Sequence, residues 1–213
     1  MSQTLAVLAS GGGSNLQAIL DAIAQGRLDL ECILVASNRE EAGALERARV
    51  AGVRAVHVPK GSDYDQRLHE LLAGADPDYV ALAGYLKLIA PQTVQAFRGR
   101  MFNIHPALLP SFGGKGMYGI HVHEAALEYG VRVTGVTVHL VDEQYDRGPI
   151  AAQVPVPVLQ GDTPEELQQR VLEQEHRLYP RVLQWFAEGR ARLDGRHVII
   201  QAEDPEAPDR SAT

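Results

Sequence analysis

Short apolar runs alternate with helix-period segments through the first half of the chain, and this alternation constrains the fold more than any other feature. Leu5–Ala9 is apolar and stops at a glycine cluster, after which Leu16, Ile19, Leu20 and Ile23 recur at helical spacing. Cys32–Ala36, Ala55–Val58, Tyr79–Ala83 and Met101–Ile104 are further strand-like runs. Between them, residues 40–51 closed by Gly52, residues 63–73 and a segment opened by Pro91 read as helices. Strands that are apolar on both faces need helices over both faces. The pattern therefore predicts an α/β fold, a Rossmann-like and mostly parallel sheet with helices on both sides, in a single domain.

The second half is less regular. Pro106, Pro110, Gly113, Gly114 and Gly116 predict a long loop over 106–122. A helix follows over His123–Tyr129, then strands over Val133–Val141 and Ile150–Val158. Pro155 and Pro157 place the last of these at an edge or in an irregular stretch. Thr163-Pro164-Glu165-Glu166 supplies an N-cap, a proline at N1 and a glutamate at N3, so a helix starts there and is expected to run to Ala187. Residues 1–201 read as one domain, with about 1–100 as a phosphate-binding half and about 101–201 as the half that carries the chemistry. The acidic residues 202–213 lack apolar periodicity and are expected to be disordered.

The 213 residues suit one such domain. Lys and Arg number 20 against 27 Asp and Glu, a net charge of −7, which argues against nucleic acid and anionic membranes as partners. No apolar run approaches the ~18 residues of a membrane span, and the N-terminus lacks a basic leader, so a cytoplasmic location is expected. The single cysteine, Cys32, excludes an internal disulfide and reads as a small buried hydrophobe.

The turn after the first strand is Ser10-Gly11-Gly12-Gly13-Ser14-Asn15-Leu16. Glycines at a helix N-terminus let a phosphate reach free backbone amides. A dinucleotide fingerprint would need a third glycine where Leu16 stands, and no Gly-Lys-Ser/Thr follows. A single phosphate therefore suits the turn better than NAD or ATP. A plain tight turn with Ser14 capping the helix fits the same residues.

Asn103 and His105 lie two apart at the end of a strand, so they face one side, at the edge of the sheet where open α/β folds bind ligands. An amide and an imidazole aimed at one spot suit a carbonyl that becomes an oxyanion. Two locally satisfied polar residues are the alternative. Asp142, Glu143 and Asp146 gather before Gly148-Pro149. A carboxylate beside His105 would raise its pKa and make the imidazolium available near neutral pH; a solvated turn is the commoner use of such a cluster. His121 and His123 form a His-x-His pair, read as part of a strand, with no third ligand at a familiar spacing, so no metal is expected. His139, inside an apolar strand, reads as a satisfied core histidine. No Gly-x-Ser-x-Gly elbow and no Cys–His pair offers a nucleophile.

The segments SGGGSNLQAI (10–19), LAGYLKLI (82–89), NIHPALLPSF (103–112), HVHEAAL (121–127), TVHLVDEQYDRGPI (137–150) and EQEHRLYP (173–180), in this order, resemble the phosphoribosylglycinamide formyltransferases of purine biosynthesis. The resemblance covers roughly residues 3–190. It implies the formyltransferase fold, 10-formyltetrahydrofolate as co-substrate, glycinamide ribonucleotide as acceptor, no metal, and a monomer or homodimer. By position, it implies that Gly13, Ser14 and Asn15 hold the ribonucleotide phosphate and that Glu175 binds its ribose hydroxyls. Leu86, Lys87, Leu88, Ile89 and Val94 would wall the folate pocket, with Asp142, Glu143, Gln144, Tyr145 and Asp146 opposite. Asn103, His105 and Asp146 would surround the formyl group, and Leu109-Pro110 would be a cis peptide. Leu172 stands where the family often has a polar or basic residue. A Ser-Arg or Ser-Lys pair common after Pro59 is missing, leaving Lys60 and Arg67 as candidates for the folate glutamate tail.

Overall fold

A computed structural model describes residues 2–201; the tail expected to be disordered lies outside the described residues. In chain order the elements are β1 (Gln3–Ala9), α1 (Ser14–Ala24), β2 (Leu30–Ser37), α2 (Gly43–Val50), β3 (Arg54–His57), α3 (Tyr64–Ala75), β4 (Tyr79–Leu82), α4 (Pro91–Ala96) and β5 (Met101–His105). They continue as α5 (Ile120–Tyr129), β6 (Val133–Leu140), β7 (Ile150–Pro157), α6 (Pro164–Ala187), β8 (Ala191–Asp194) and β9 (His197–Ile200).

Seven strands form one sheet in the order β3-β2-β1-β4-β5-β6-β7. The first five are parallel, as the alternation predicts, whereas β6 and β7 run antiparallel to their neighbours. β7 lies at the edge, where its prolines cost no ladder bond on the open side. The chain winds outward from β1 to β3, then returns to place β4 on the other flank of β1. The carboxyl ends of β1 and β4 therefore splay apart and leave the crevice in which open α/β sheets take ligands.

Side chains of β1 alternate between the two faces. Leu5, Val7 and Ala9 join the core under α1, α2, α5 and α6. Ala6 and Leu8 join a second core with Tyr64, Leu68 and Leu72 of α3 and Val94 of α4. α6 begins with the expected capping box, Thr163 Oγ1 accepting from Glu166 N and Glu166 Oε2 accepting from Thr163 N. Its buried Tyr179 hydroxyl reaches the carbonyls of Leu82 at 3.1 Å and Phe102 at 3.0 Å, tying β4 to β5 just below the sheet's functional end.

One expectation needs correction, and one hairpin lies beyond what the sequence pattern predicts. The loop after β5 ends at Gly119, because α5 starts at Ile120, so His121 and His123 lie on a helix and not on a strand. The β8–β9 hairpin has strands of four residues, too short and too mixed in polarity for a period to show. The Leu109-Pro110 peptide is cis.

Gly148 closes the turn between β6 and β7. A Cβ there would stand 1.7 Å from the Leu140 carbonyl oxygen. Gly148→Ala is therefore expected to destabilise the protein by about 2 kcal/mol or more, the range of overpacking in a pinned site. Urea unfolding of both proteins checks it; an unchanged midpoint would mean that the turn is free to move.

Candidate active site

Asn103 and His105 end β5 with their side chains on one face. The antiparallel register sets His139 of β6 directly opposite Asn103. Cross-strand partners share a face, so His139 joins the pair. Asp146 completes the group from the β6–β7 turn. It adopts φ 54°, a left-handed conformation that a non-glycine residue takes only where its surroundings impose it.

Asn103 Nδ2 lies 3.0 Å from His139 Nε2 and 3.4 Å from Asp146 Oδ1. His139 Nδ1 is 2.8 Å from the Leu140 carbonyl. A carbonyl only accepts, so Nδ1 carries the proton and Nε2 accepts from the Asn103 amide. His105 Nε2 is 2.8 Å from the Phe112 carbonyl, which by the same logic places a proton on Nε2. Its other nitrogen, Nδ1, faces Asp146 Oδ2 at 3.7 Å. Asp146 Oδ2 also accepts from the Gly114 amide at 2.8 Å, fastening the start of the glycine loop to the carboxylate.

Burial pushes the His105 pKa below its ordinary value; Asp146 and the Phe112 carbonyl raise it, without overcoming desolvation. The expected imidazolium is thus corrected to a neutral ring at neutral pH. Burial alone would raise the Asp146 carboxyl, but His139, His105 and the Gly114 amide outweigh it and hold the group below its ordinary value. The aspartate is charged, and it stands where a second proton on the His105 ring, at Nδ1, would meet it.

A cavity of about 650 Å³ surrounds this group, within the usual range for small-molecule sites. Leu86, Lys87, Leu88 and Ile89 line it together with Asp142, Gln144 and Tyr145, and so do Ser14 and Asn15. Gln168, Leu172 and Glu175 reach in from a single stripe of α6. Asn15 Nδ2 donates to the buried Glu175 Oε2 at 2.6 Å, and burial raises the Glu175 carboxyl above its ordinary value. Asn15 Oδ1 is buried with no partner among the described residues, an acceptor open to a donor.

Other expected residues stand elsewhere. Gly13, at φ 79°, is the N-cap of α1; it and Glu143 are not in the cavity lining, and Ser14, expected as the cap, is instead the first residue of that helix. Val94 is 3% exposed and packs in the core behind the folate-side wall. Arg67 is engaged with the Pro59 carbonyl and Asp63, and neither it nor Lys60 reaches the cavity. Lys87 lies in the wall with Nζ 3.4 Å from the Tyr64 ring centre. On α5, residues two apart diverge: His121 is exposed and pairs with Glu124, whereas His123 is 1% exposed and lines the cavity beside His105.

The sequence weighs His123 only as half of a His-x-His metal pair on a strand, set aside for want of a third ligand, and reads His139 as core because its strand is apolar. Only the antiparallel register reveals the second.

Burial, with His105 nearby, lowers the His123 pKa to about 4. His105 is shifted the same way. Both rings bind a proton more readily unfolded than folded, so their contribution is full above their ordinary value of 6.5 and is lost as pH falls below it. Each ring can lower stability by at most about 1.4 kcal/mol per pH unit. Urea unfolding between pH 7 and pH 4.5 is expected to show this decline, and His123→Leu to make it shallower. A variant with the wild-type slope would remove His123 from the cause.

The chain matches the formyl transferase family over residues 3–183. It is 42% identical to the phosphoribosylglycinamide formyltransferase of Escherichia coli (strain K12), with 89% of each chain covered. It is 46% identical to the chloroplastic phosphoribosylglycinamide formyltransferase of Arabidopsis thaliana, over 95% of this chain and 72% of that one. The crystal structure of glycinamide ribonucleotide transformylase 1 from Symbiobacterium toebii superposes with a TM-score of 0.87 at 45% identity, covering 94% of this chain and 95% of that one. Sequence and fold agree over almost the whole described chain, which belongs to the formyl transferase family.

Proposed function

We propose that the protein transfers the formyl group of 10-formyltetrahydrofolate to the amine of 5'-phosphoribosylglycinamide, giving 5'-phosphoribosyl-N-formylglycinamide and tetrahydrofolate in purine biosynthesis. The observation that carries this reading is the convergence of Asn103, His105 and Asp146 on one point of the cavity, in a chain closely similar to enzymes of that name.

The amine nitrogen attacks the formyl carbon, a C–N bond forms, and the carbonyl oxygen becomes an oxyanion. Collapse breaks the bond between that carbon and folate N10, and the proton lost by the amine ends on N10. The attacking amine is the nucleophile, so no activated serine or cysteine is needed. The second N–H of Asn103, held only weakly at 3.4 Å from Asp146, is the donor free to turn to the oxyanion. His105, its Nε2 proton held by the Phe112 carbonyl, takes a proton at Nδ1, where Asp146 stabilises the resulting charge, and can then return it toward the leaving nitrogen.

Two groups of residues support the two substrates. The main-chain groups of Lys87, Leu88 and Ile89 make no hydrogen bond among the described residues, which leaves N–H and C=O groups for the edge of a pterin ring. Asp142, Gln144, Tyr145 and Asp146 line the same cavity. Ser14, Asn15 and the amide of Gly13 take the ribonucleotide phosphate, and Glu175 with the unpaired Asn15 Oδ1 takes its ribose hydroxyls.

Mixing the protein with both substrates and following the folate absorbance tests the reaction; no turnover at any ratio of substrates would contradict it. Asn103→Ala and His105→Ala are each expected to lower kcat about 100-fold, the scale of a lost oxyanion donor or proton-transfer group. A variant retaining half the wild-type kcat would lose its assigned role. Inorganic phosphate is expected to compete with the ribonucleotide and not with the folate, and the reverse pattern would move the phosphate site.

A further inference from the structure

The wall over 85–89 is main chain with almost nothing holding it. It leaves β4 through Gly84, at φ 72°, and meets α4 at Ala90, whose carbonyl accepts from Thr93 and Val94. Between these points Tyr85 and Ile89 anchor their side chains in the core, at 8% and 2% exposure, while Leu86 and Leu88 face outward at 38% and 41%. Among the described residues, one hydrogen bond reaches the backbone of 85–89: the Leu86 N–H donates to Ser10 Oγ at 3.0 Å.

Ser10 is 1% exposed, at the end of β1, immediately before the glycine turn. Its own N–H donates to the Gly84 carbonyl at 3.1 Å. Its hydroxyl donates to Asn38 Oδ1 at 2.6 Å, at the end of β2, where Asn38 is 6% exposed. A hydroxyl has one hydrogen to give. With that hydrogen committed to Asn38, a lone pair of Oγ is left to take the Leu86 amide. The chain Asn38–Ser10–Leu86 therefore crosses the crevice between β1 and β4, the point at which the sheet reverses its winding.

We infer that Ser10 is a positioning residue for the folate: its buried hydroxyl holds the 85–89 wall, through the Leu86 amide, in the place from which the free main-chain groups of 87–89 meet the pterin ring. The inference rests on the proposed reaction and adds to it a residue that touches neither substrate. Ser10 is assigned to the folate side because its hydroxyl is bonded to Asn38 and Leu86, neither of which belongs to the ribonucleotide end. Ser10→Ala leaves the Leu86 N–H and Asn38 Oδ1 unpaired and the wall held by its side chains alone, with no hydrogen bond to its main chain among the described residues.

The test compares wild type, Ser10→Ala and Ser10→Thr, the last keeping the hydroxyl. Steady-state kinetics are measured with each substrate varied, and tetrahydrofolate binding by calorimetry. Ser10→Ala is expected to raise both the KM for 10-formyltetrahydrofolate and the Kd for tetrahydrofolate about five- to tenfold, the scale of one net hydrogen bond. The KM for the ribonucleotide should stay within about twofold, and Ser10→Thr should recover most of the folate affinity. Should Ser10→Ala not fold, Asn38→Ala frees the hydroxyl from its acceptor and is expected to weaken folate binding in the same direction. Unchanged folate constants, or a ribonucleotide KM that rises as much as the folate KM, would overturn the inference. Wild-type protein that neither binds tetrahydrofolate nor turns over 10-formyltetrahydrofolate would overturn the proposed reaction itself.

Discussion

The Asp146 carboxylate keeps its charge in a place where burial works against it. The Gly114 amide donates to one of its oxygens and the Asn103 amide lies 3.4 Å from the other, while the His105 and His139 rings face it and favour its charge whenever they carry a second proton. These partners come from different parts of the chain. Asn103 and His105 end the last parallel strand, His139 sits on the first antiparallel one, and Gly114 opens the glycine loop. The carboxylate thus fixes where the β6–β7 turn lies against β5 and where the loop after β5 begins. Its left-handed backbone and the close approach of Gly148 to Leu140 are consequences of forcing that turn inward.

The Asn103 amide is oriented by the same arrangement. His139, with its Nδ1 proton committed to the Leu140 carbonyl, can only accept at Nε2, and so selects which end of the Asn103 side chain faces inward. A donor is thereby aimed at the cavity before any ligand arrives, the condition under which a hydrogen bond lowers a barrier without first having to be organised.

The parallel half of the fold was legible because every strand there is apolar on both faces and every helix has a readable period or cap; Thr163 and Pro164 marked the start of α6 to the residue. The antiparallel half was legible as strands but not as pairing, since nothing in Val133–Val141 states which neighbour it will choose. That gap explains the misreading of His139, whose role depends on standing opposite Asn103. Asn103, His105 and Asp146 could be picked out by type, strand position and family resemblance, yet the charge of His105 could not. Its pKa depends on how much protein surrounds the ring, and desolvation exceeds the attraction of one aspartate. Val94 and Glu143 show the converse limit, since a residue inside a wall-forming stretch can point into the core or out to solvent.

The claim on which the chemistry turns is that Asp146 supports a proton arriving at His105 Nδ1 on a ring that is otherwise neutral and protonated at Nε2. Nitrogen-15 NMR of the histidine rings, recorded against pH for wild type and Asp146→Asn, addresses it directly. The expected result is a neutral His105 with its proton on Nε2 at pH 7 and a pKa below 6.5 that falls further in Asp146→Asn. A His105 pKa at or above that value in the wild type, or one unchanged when the charge of Asp146 is removed, would contradict it.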